Sequence, residues 1–315
     1  MGENAAKIGK KLEGFGENLI SDFGWLELTR DREIKCQRPA HKKKTHGIDL
    51  LCKVNNPYLN GNQGIIIECK NRQMQSINKS NIEDWVRELI NNIECSQSTN
   101  ELEDIDLSDV KTLNTGLLLI HANDGWDEEK FYGYLSGLSI SGRRNPINVF
   151  IAGNDKINLW TSLFAKISKD YRDSFAFIYP SLNEYSKKIQ NSLTINALFS
   201  KYLFAESTYS VQQNNGAGQY FEPHRQTIMF FFDEITPDNF KYAWSMFKHY
   251  QLQGSDKYVF VFYPRKKGDV DYVRERLIPA IREGDPNISE EEIRKINYDF
   301  LDNRSLSPVE FGGSK

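Results

Sequence analysis

Two short apolar runs separated by turn formers restrict this chain more than any other feature. Ile48 to Val54 (IDLLCKV) and Gly64 to Cys69 (GIIIEC) are each long enough for a strand, and residues 55–62 between them (NNPYLNGN) are rich in Asn, Gly and Pro. Ile65, Ile66 and Ile67 make the second run continuously apolar, as in a strand covered on both faces. The two runs read as the arms of an antiparallel hairpin with a longish loop. Asp49 stands at the start of the first arm, Glu68 at the end of the second, and Lys70 just beyond it. Residues two apart in a strand share a face, so Glu68 and Lys70 project together and Cys69 projects the other way. Pairing about the centre of the turn sets Asp49 opposite Glu68 and Val54 opposite Gln63. Two carboxylates then lie roughly 5 Å apart, with an ammonium beside them.

Hydrolysis of a phosphodiester calls for such a set. Paired carboxylates hold Mg²⁺, a hard cation that prefers oxygen ligands. The ion activates a water and stabilises charge on the phosphoryl group. A lysine there orients the attacking water or offsets phosphate charge. The competing interpretation is an exposed hairpin end with a salt bridge between Lys70 and Asp49.

The flanking pattern gives the hairpin its setting. Ile8, Leu12, Phe15, Leu19 and Phe23 form one stripe of an amphipathic helix over 5–23, with Gly24 placed to end it. Residues 25–36 alternate loosely and predict a strand. Residues 81–94 predict a helix with Ile82, Trp85, Val86, Leu89, Ile90 and Ile93 on one side. The polar stretch 96–112 predicts an exposed excursion, and Leu117 to His121 a further strand.

Asp-x18-Glu-x-Lys on two strands after an amphipathic helix resembles the PD-(D/E)XK nuclease superfamily, over roughly residues 5–125. In that family the core runs helix, strand, strand, strand, helix, strand, the order predicted here. The residue before Asp49 is Ile48 where the family's name has proline. The resemblance implies a restriction-endonuclease-like α/β core, with a mixed central sheet flanked by helices. It assigns metal binding to Asp49 and Glu68, assistance of the attacking water to Lys70, and Mg²⁺ as cofactor with Mn²⁺ as a substitute. It also implies a helix carboxylate, for which Glu13 is the first choice and Glu17 the competitor. The setting it suggests is a restriction or antiphage-defence nuclease acting on DNA. The alternative is a catalytically silent subunit of the same fold that binds DNA or scaffolds an active partner.

Net charge is −3, so a nucleic-acid partner must be argued from local charge. Lys35, Arg38, His41, Lys42, Lys43, Lys44 and His46 lead into Asp49, and Lys53, Arg72 and Lys79 add to that end. Lys42, Lys43, Lys44 and Arg72 are the candidates for phosphate contact. The cysteines Cys36, Cys52, Cys69 and Cys95 form no C-x-x-C pair, which argues against a zinc knuckle and for reduced thiols in a cytoplasmic protein. His121 ends an apolar strand and reads as a core histidine. No apolar stretch is long enough to span a membrane, so no membrane association is expected.

The length of 315 residues predicts two units. The expected division is a nuclease-like domain with extensions over 1–210 and a smaller α/β domain over 219–315, joined through the linker-like 211–218 (VQQNNGAG). Strands are expected at Phe131 to Tyr134, Val149 to Ile151, Ile157 to Trp160 and Phe175 to Ile178, with a helix over 183–202. The second unit predicts strands over 226–232 and 258–263, helices from Pro237 and over 270–283, and a capping box from Ser289 to Glu292. It is expected to serve oligomerisation, partner binding or substrate selection. A double-strand cut requires two centres, so a homodimer or a hetero-oligomer with a partner subunit is expected.

Overall fold

A computed structural model describes residues 19–59, 61–140, 146–171, 174–180, 188–215 and 218–304. The chain divides into two compact units, residues 1–161 with 305–315, and residues 162–304.

The first unit is built on a mixed sheet of five strands in the order β1 to β5: Leu26–Lys35, Thr45–Asn55, Asn62–Arg72, Val110–Ala122 and Asn148–Ala152. β1, β2 and β3 pair antiparallel, while β3, β4 and β5 pair parallel. The central strand β3 is therefore covered along both edges. Its burial is continuous from Gln63 to Glu68, as its apolar run requires. The chain passes from β3 to the parallel β4 through α1 (Lys79–Ser96), whose first turn is capped by Asn78 accepting from the N–H of Asn81 at 3.0 Å. Ile82, Val86, Leu89 and Ile93 of α1 pack with Ile66, Leu118 and Ile120 of the sheet. Gly116 permits the close approach of helix and sheet, because a Cβ there would lie 2.8 Å from the Leu89 side chain.

Residues 19–22 are helical, and Gly24 ends that helix with φ of +72°. The N–H of Trp25 then donates to the carbonyl of Ile20 at 3.1 Å. The rest of the expected first helix, with Glu13 and Glu17, lies outside the described residues. The hairpin register agrees with the expected one, since Val54 faces Gln63 and Leu50 faces Ile67.

Two expected strands of this part are helical. Phe131 to Tyr134 belongs to α2 (Glu128–Ser136), opened by Asp127, whose carboxylate accepts from the N–H of Lys130 at 3.0 Å. Ile157 to Trp160 belongs to α3 (Asn154–Asp170), within which the division between the units falls. Short apolar runs look alike in a strand and in one turn of a buried helix, and the capping residues decide.

The second unit carries a mixed sheet of six strands in the order β11-β10-β9-β8-β6-β7. These are β6 Ala176–Tyr179, β7 Lys188–Gln190, β8 Tyr202–Asn215, β9 Gly218–Phe231, β10 Lys257–Phe262 and β11 Ile296–Phe300. Over 183–202 the described residues hold β7 and a single turn, α4 (Ile195–Leu198), instead of the expected long helix. Helices α5 (Pro237–His249) and α6 (Asp269–Gly284) pack Phe240, Trp244, Phe247, Val273 and Leu277 onto Met229, Phe231, Phe260 and Phe262. The serine half of the capping box forms, with Ser289 Oγ accepting from the N–H of Glu292 at 3.1 Å, and opens the short helix α7 (Glu290–Lys295), while the Glu292 carboxylate accepts from Gln253 Nε2.

The expected linker is a hairpin arm. β8 and β9 pair in register from Tyr202↔Phe231 to Asn215↔Gly218, so 211–215 continues a strand and the division near 210–219 falls inside one sheet. None of the described side chains at 208–214 and 219–225 is buried, so the outer part of this ribbon lacks the apolar run that marks a covered strand.

Candidate active site

β2 and β3 pair as a ladder up to Leu50↔Ile67, and there the main-chain pairing stops. Beyond it the Asp49 side chain takes over, its Oδ2 accepting the backbone N–H of Cys69 at 2.8 Å. That bond fixes the direction of the Asp49 carboxylate beside Glu68, the next residue along β3. The Lys70 ammonium donates to Glu68 Oε1 from the same face. The two carboxylates and the lysine expected from the sequence are therefore brought together. The salt bridge of Lys70 is to Glu68, where an exposed hairpin end had Asp49 as its partner.

Burial sets the electrostatics. Glu68 is 6% exposed, and desolvation together with the charge of Asp49 pushes its carboxyl up to about 7. Desolvation also raises Asp49, against the lowering effect of its bond to Cys69 N–H and of Lys70. Burial alone would lower Lys70, but Glu68 and Asp49 together hold it above the ordinary lysine value, so it keeps its proton. Glu68 Oε2 is buried and has no hydrogen-bond partner among the described residues. A buried carboxylate oxygen left unpaired is costly unless a cation meets it. The donor set fits a divalent cation: all-oxygen ligands, net negative charge and one unpartnered oxygen.

A further acidic group was not expected from the sequence. Glu88 on α1 raises the pKa of both Asp49 and Glu68, and its carboxylate is 2.7 Å from the Lys43 ammonium. Its signal was weak, a single glutamate beside the apolar stripe of α1.

The basic track is only partly as expected. Lys42, Lys43, Lys44 and Arg72 are exposed. Lys43 is paired with Glu88, while Lys35 lies 3.4 Å from Glu101, Arg38 3.7 Å from Glu94 and Lys53 2.8 Å from Asp109. His41 and His46 are withdrawn from the track. The His41 side chain is buried with Nε2 2.9 Å from Glu94, and His46 is also buried. His121 is a core residue as expected, buried beside Asn71 with its pKa pushed down to about 4 by desolvation. All four cysteines are free thiols. Cys52 is packed in the core, where burial pushes its thiol up to about 12.

A mixed α/β unit that sets Asp, Glu and Lys at the broken end of a hairpin has the arrangement of the PD-(D/E)XK nucleases. Residues 1–156 match the family described as GAPS4 protein PD-(D/E)XK nuclease domain. The rest of the chain lies outside that match. Comparison with curated proteins and with solved structures yields no match. Among the described residues, no helix is long and apolar enough to cross a membrane.

Proposed function

We propose that the chain is a metal-dependent nuclease that hydrolyses phosphodiester bonds of DNA, in an antiphage-defence setting, with Asp49, Glu68 and Lys70 as its active centre. The observation that carries this reading is the unpartnered, buried Oε2 of Glu68 beside a second carboxylate and a protonated lysine. A binding module gains nothing from this costly arrangement. The family name shared with GAPS4 proteins supports the defence setting.

Asp49 and Glu68 would hold Mg²⁺, for which Mn²⁺ is a substitute. When bound, the ion supplies Lewis acidity at the phosphoryl oxygen and lowers the pKa of a water. Lys70, held protonated, orients the attacking water by donating to it and places positive charge beside the phosphate. The Cys69 N–H keeps Asp49 aimed at the centre. Lys42, Lys44 and Arg72, exposed on the same unit, supply backbone contacts that position DNA without reading its sequence. Double-strand cleavage needs two such centres, so we place the active form as a homodimer or a complex with a partner subunit. Residues 162–304 are the part available to build that assembly or select the substrate.

The test is cleavage of supercoiled, linear and single-stranded DNA with Mg²⁺, Mn²⁺ or EDTA. Metal-dependent cutting that is abolished in Glu68→Ala with Lys70→Ala is the expected result. Cutting that survives the double substitution overturns the assignment. DNA binding without cutting, under every metal and with partner extracts, identifies the silent subunit instead.

A further inference from the structure

Around the start of β2, four side chains converge that the proposed chemistry does not use. Cys36 follows β1, His41 lies in the loop, His46 is in β2, and Cys95 is near the end of α1. One donor atom from each lies within 4.8 Å of every other. Cys36 Sγ and Cys95 Sγ are 3.9 Å apart, and each is 3.5 Å from His41 Nδ1. A tetrahedral ion with metal–sulfur bonds of about 2.3 Å and metal–nitrogen bonds of about 2.0 Å has S–S edges of about 3.8 Å and S–N edges of about 3.6 Å. The three edges among Cys36, Cys95 and His41 match those of such an ion, and a donor atom of His46 lies within 4.8 Å of each of them.

The surroundings are those of a metal site as well. His46 is 3% exposed, and its Nε2 is buried with no hydrogen-bond partner among the described residues. A neutral imidazole nitrogen left so is costly, and a cation at the centre of the cluster removes the cost. Asn92 interacts with the same ring, and its Nδ2 donates to the carbonyl of Gly47, the next residue. His41 Nε2 lies 2.9 Å from Glu94, whose carboxylate thereby fixes the tautomer that presents Nδ1 to the cluster. The backbone N–H of Gln37 donates to Cys95 Sγ at 3.4 Å, a bond that favours a thiolate. The loop is closed by the N–H of Cys36 donating to the carbonyl of Lys44 at 2.8 Å.

We propose that Cys36, His41, His46 and Cys95 bind one Zn²⁺ and so fasten the loop carrying Lys42, Lys43 and Lys44 to the end of α1. Two thiolates and two imidazoles at tetrahedral spacing select zinc over the oxygen-seeking Mg²⁺. The set is closed by four protein ligands and so is structural. Binding removes the thiol protons of Cys36 and Cys95, and the dication compensates the two thiolates; no redox step is involved. The proposal is independent of whether the neighbouring carboxylates cut DNA.

The experiment is elemental analysis of the full chain, expressed in zinc-supplemented medium and purified without chelator. About one zinc per chain is expected. Cys36→Ser with Cys95→Ser should abolish it, His46→Ala should weaken binding at least ~100-fold, and His46→Cys should restore it. Glu68→Gln should leave the zinc in place, which separates this site from the carboxylate one. Replacement by Co²⁺ should give the ligand-field and thiolate charge-transfer bands of a tetrahedral site. Two thiols should resist titration until a strong chelator is added. A wild-type chain that folds without zinc and gives no such bands with Co²⁺ overturns the proposal, whatever the variants do. A Cys36–Cys95 disulfide in the isolated protein, or an iron–sulfur absorption spectrum, also overturns it.

Discussion

The first residues of β2 contribute to two clusters made of opposite kinds of atoms. In one, Asp49, Glu68 and Lys70 present only oxygens and one ammonium, with one carboxylate oxygen unsatisfied. In the other, Cys36, His41, His46 and Cys95 present sulfur and nitrogen, and the set is complete in itself. The first is built around β3, the central strand of its sheet; the second joins a loop, β2 and the end of a helix. An incomplete oxygen set suits a site through which substrate passes, whereas a closed soft set suits a fastening. The same short stretch of backbone, His46 to Asp49, serves both, so damage to one is expected to be felt differently from damage to the other.

The sharpest break of this contrast is at Glu68. Glu68→Gln should lower the cleavage rate by about 10²–10³-fold or more, measured at saturating Mg²⁺, while leaving the fold intact. A rate within tenfold of wild type would remove Glu68 from the active centre.

Next in size is the basic loop. Lys42→Ala with Lys44→Ala should weaken DNA binding and lower the slope of log K against log salt by about 0.9 for each phosphate that is no longer neutralised. Lys43→Ala should do less, since its ammonium is already paired with Glu88. An unchanged slope would place the DNA path elsewhere.

The fastening can be loosened without touching a metal ligand. Asn92 Nδ2 donates to the carbonyl of Gly47 at 2.7 Å and supports His46. Asn92→Ala should cost about 1–3 kcal/mol in chemical denaturation. An unchanged midpoint would mean that β2 is held there by other contacts.

The smallest expected effect is on pH dependence. Without metal, the Glu68 carboxyl is raised from its ordinary 4.5 to about 7, so the folded chain holds a proton that the unfolded chain gives up in that window. Its contribution to stability is full below 4.5 and is lost as pH rises through about 7. In EDTA the melting temperature should therefore fall by a few degrees as pH climbs across this window. Glu68→Gln should flatten that part of the curve, and a slope of opposite sign would refute the buried-carboxylate account.

The hairpin and its register were legible because Ile65 to Ile67 can only be a covered strand and the turn formers before it fix the pairing. The same reasoning placed Asp49 beside Glu68. It could not see the Cys/His set, because Cys95 is far along the chain from the other three and only the packing of α1 on the sheet brings it back. Local spacing rules look for pairs, and here the ligands are scattered. Glu88 escaped for the same reason. The outer β8–β9 ribbon was misread as a linker because its described side chains are never buried and its Asn and Gly residues read as turn formers. The short helices at Phe131 and Ile157 were misread because one buried turn has too few residues to show its period.

The place of Glu68 on the central strand, just past its last pair with β2 and still paired with β4, has a consequence for regulation. Up to Ile67 the amides of β3 lie between β2 and β4, and beyond it the strand is held by β4 and by the Asp49 carboxylate on the Cys69 N–H, so they should exchange with deuterium only when the whole unit opens. Protection at that level means that the carboxylates cannot be dismantled and rebuilt by local fluctuation. Any signal that turns such a centre on or off has to work by admitting or withholding the nucleic acid, because the centre itself stays assembled for as long as the unit is folded.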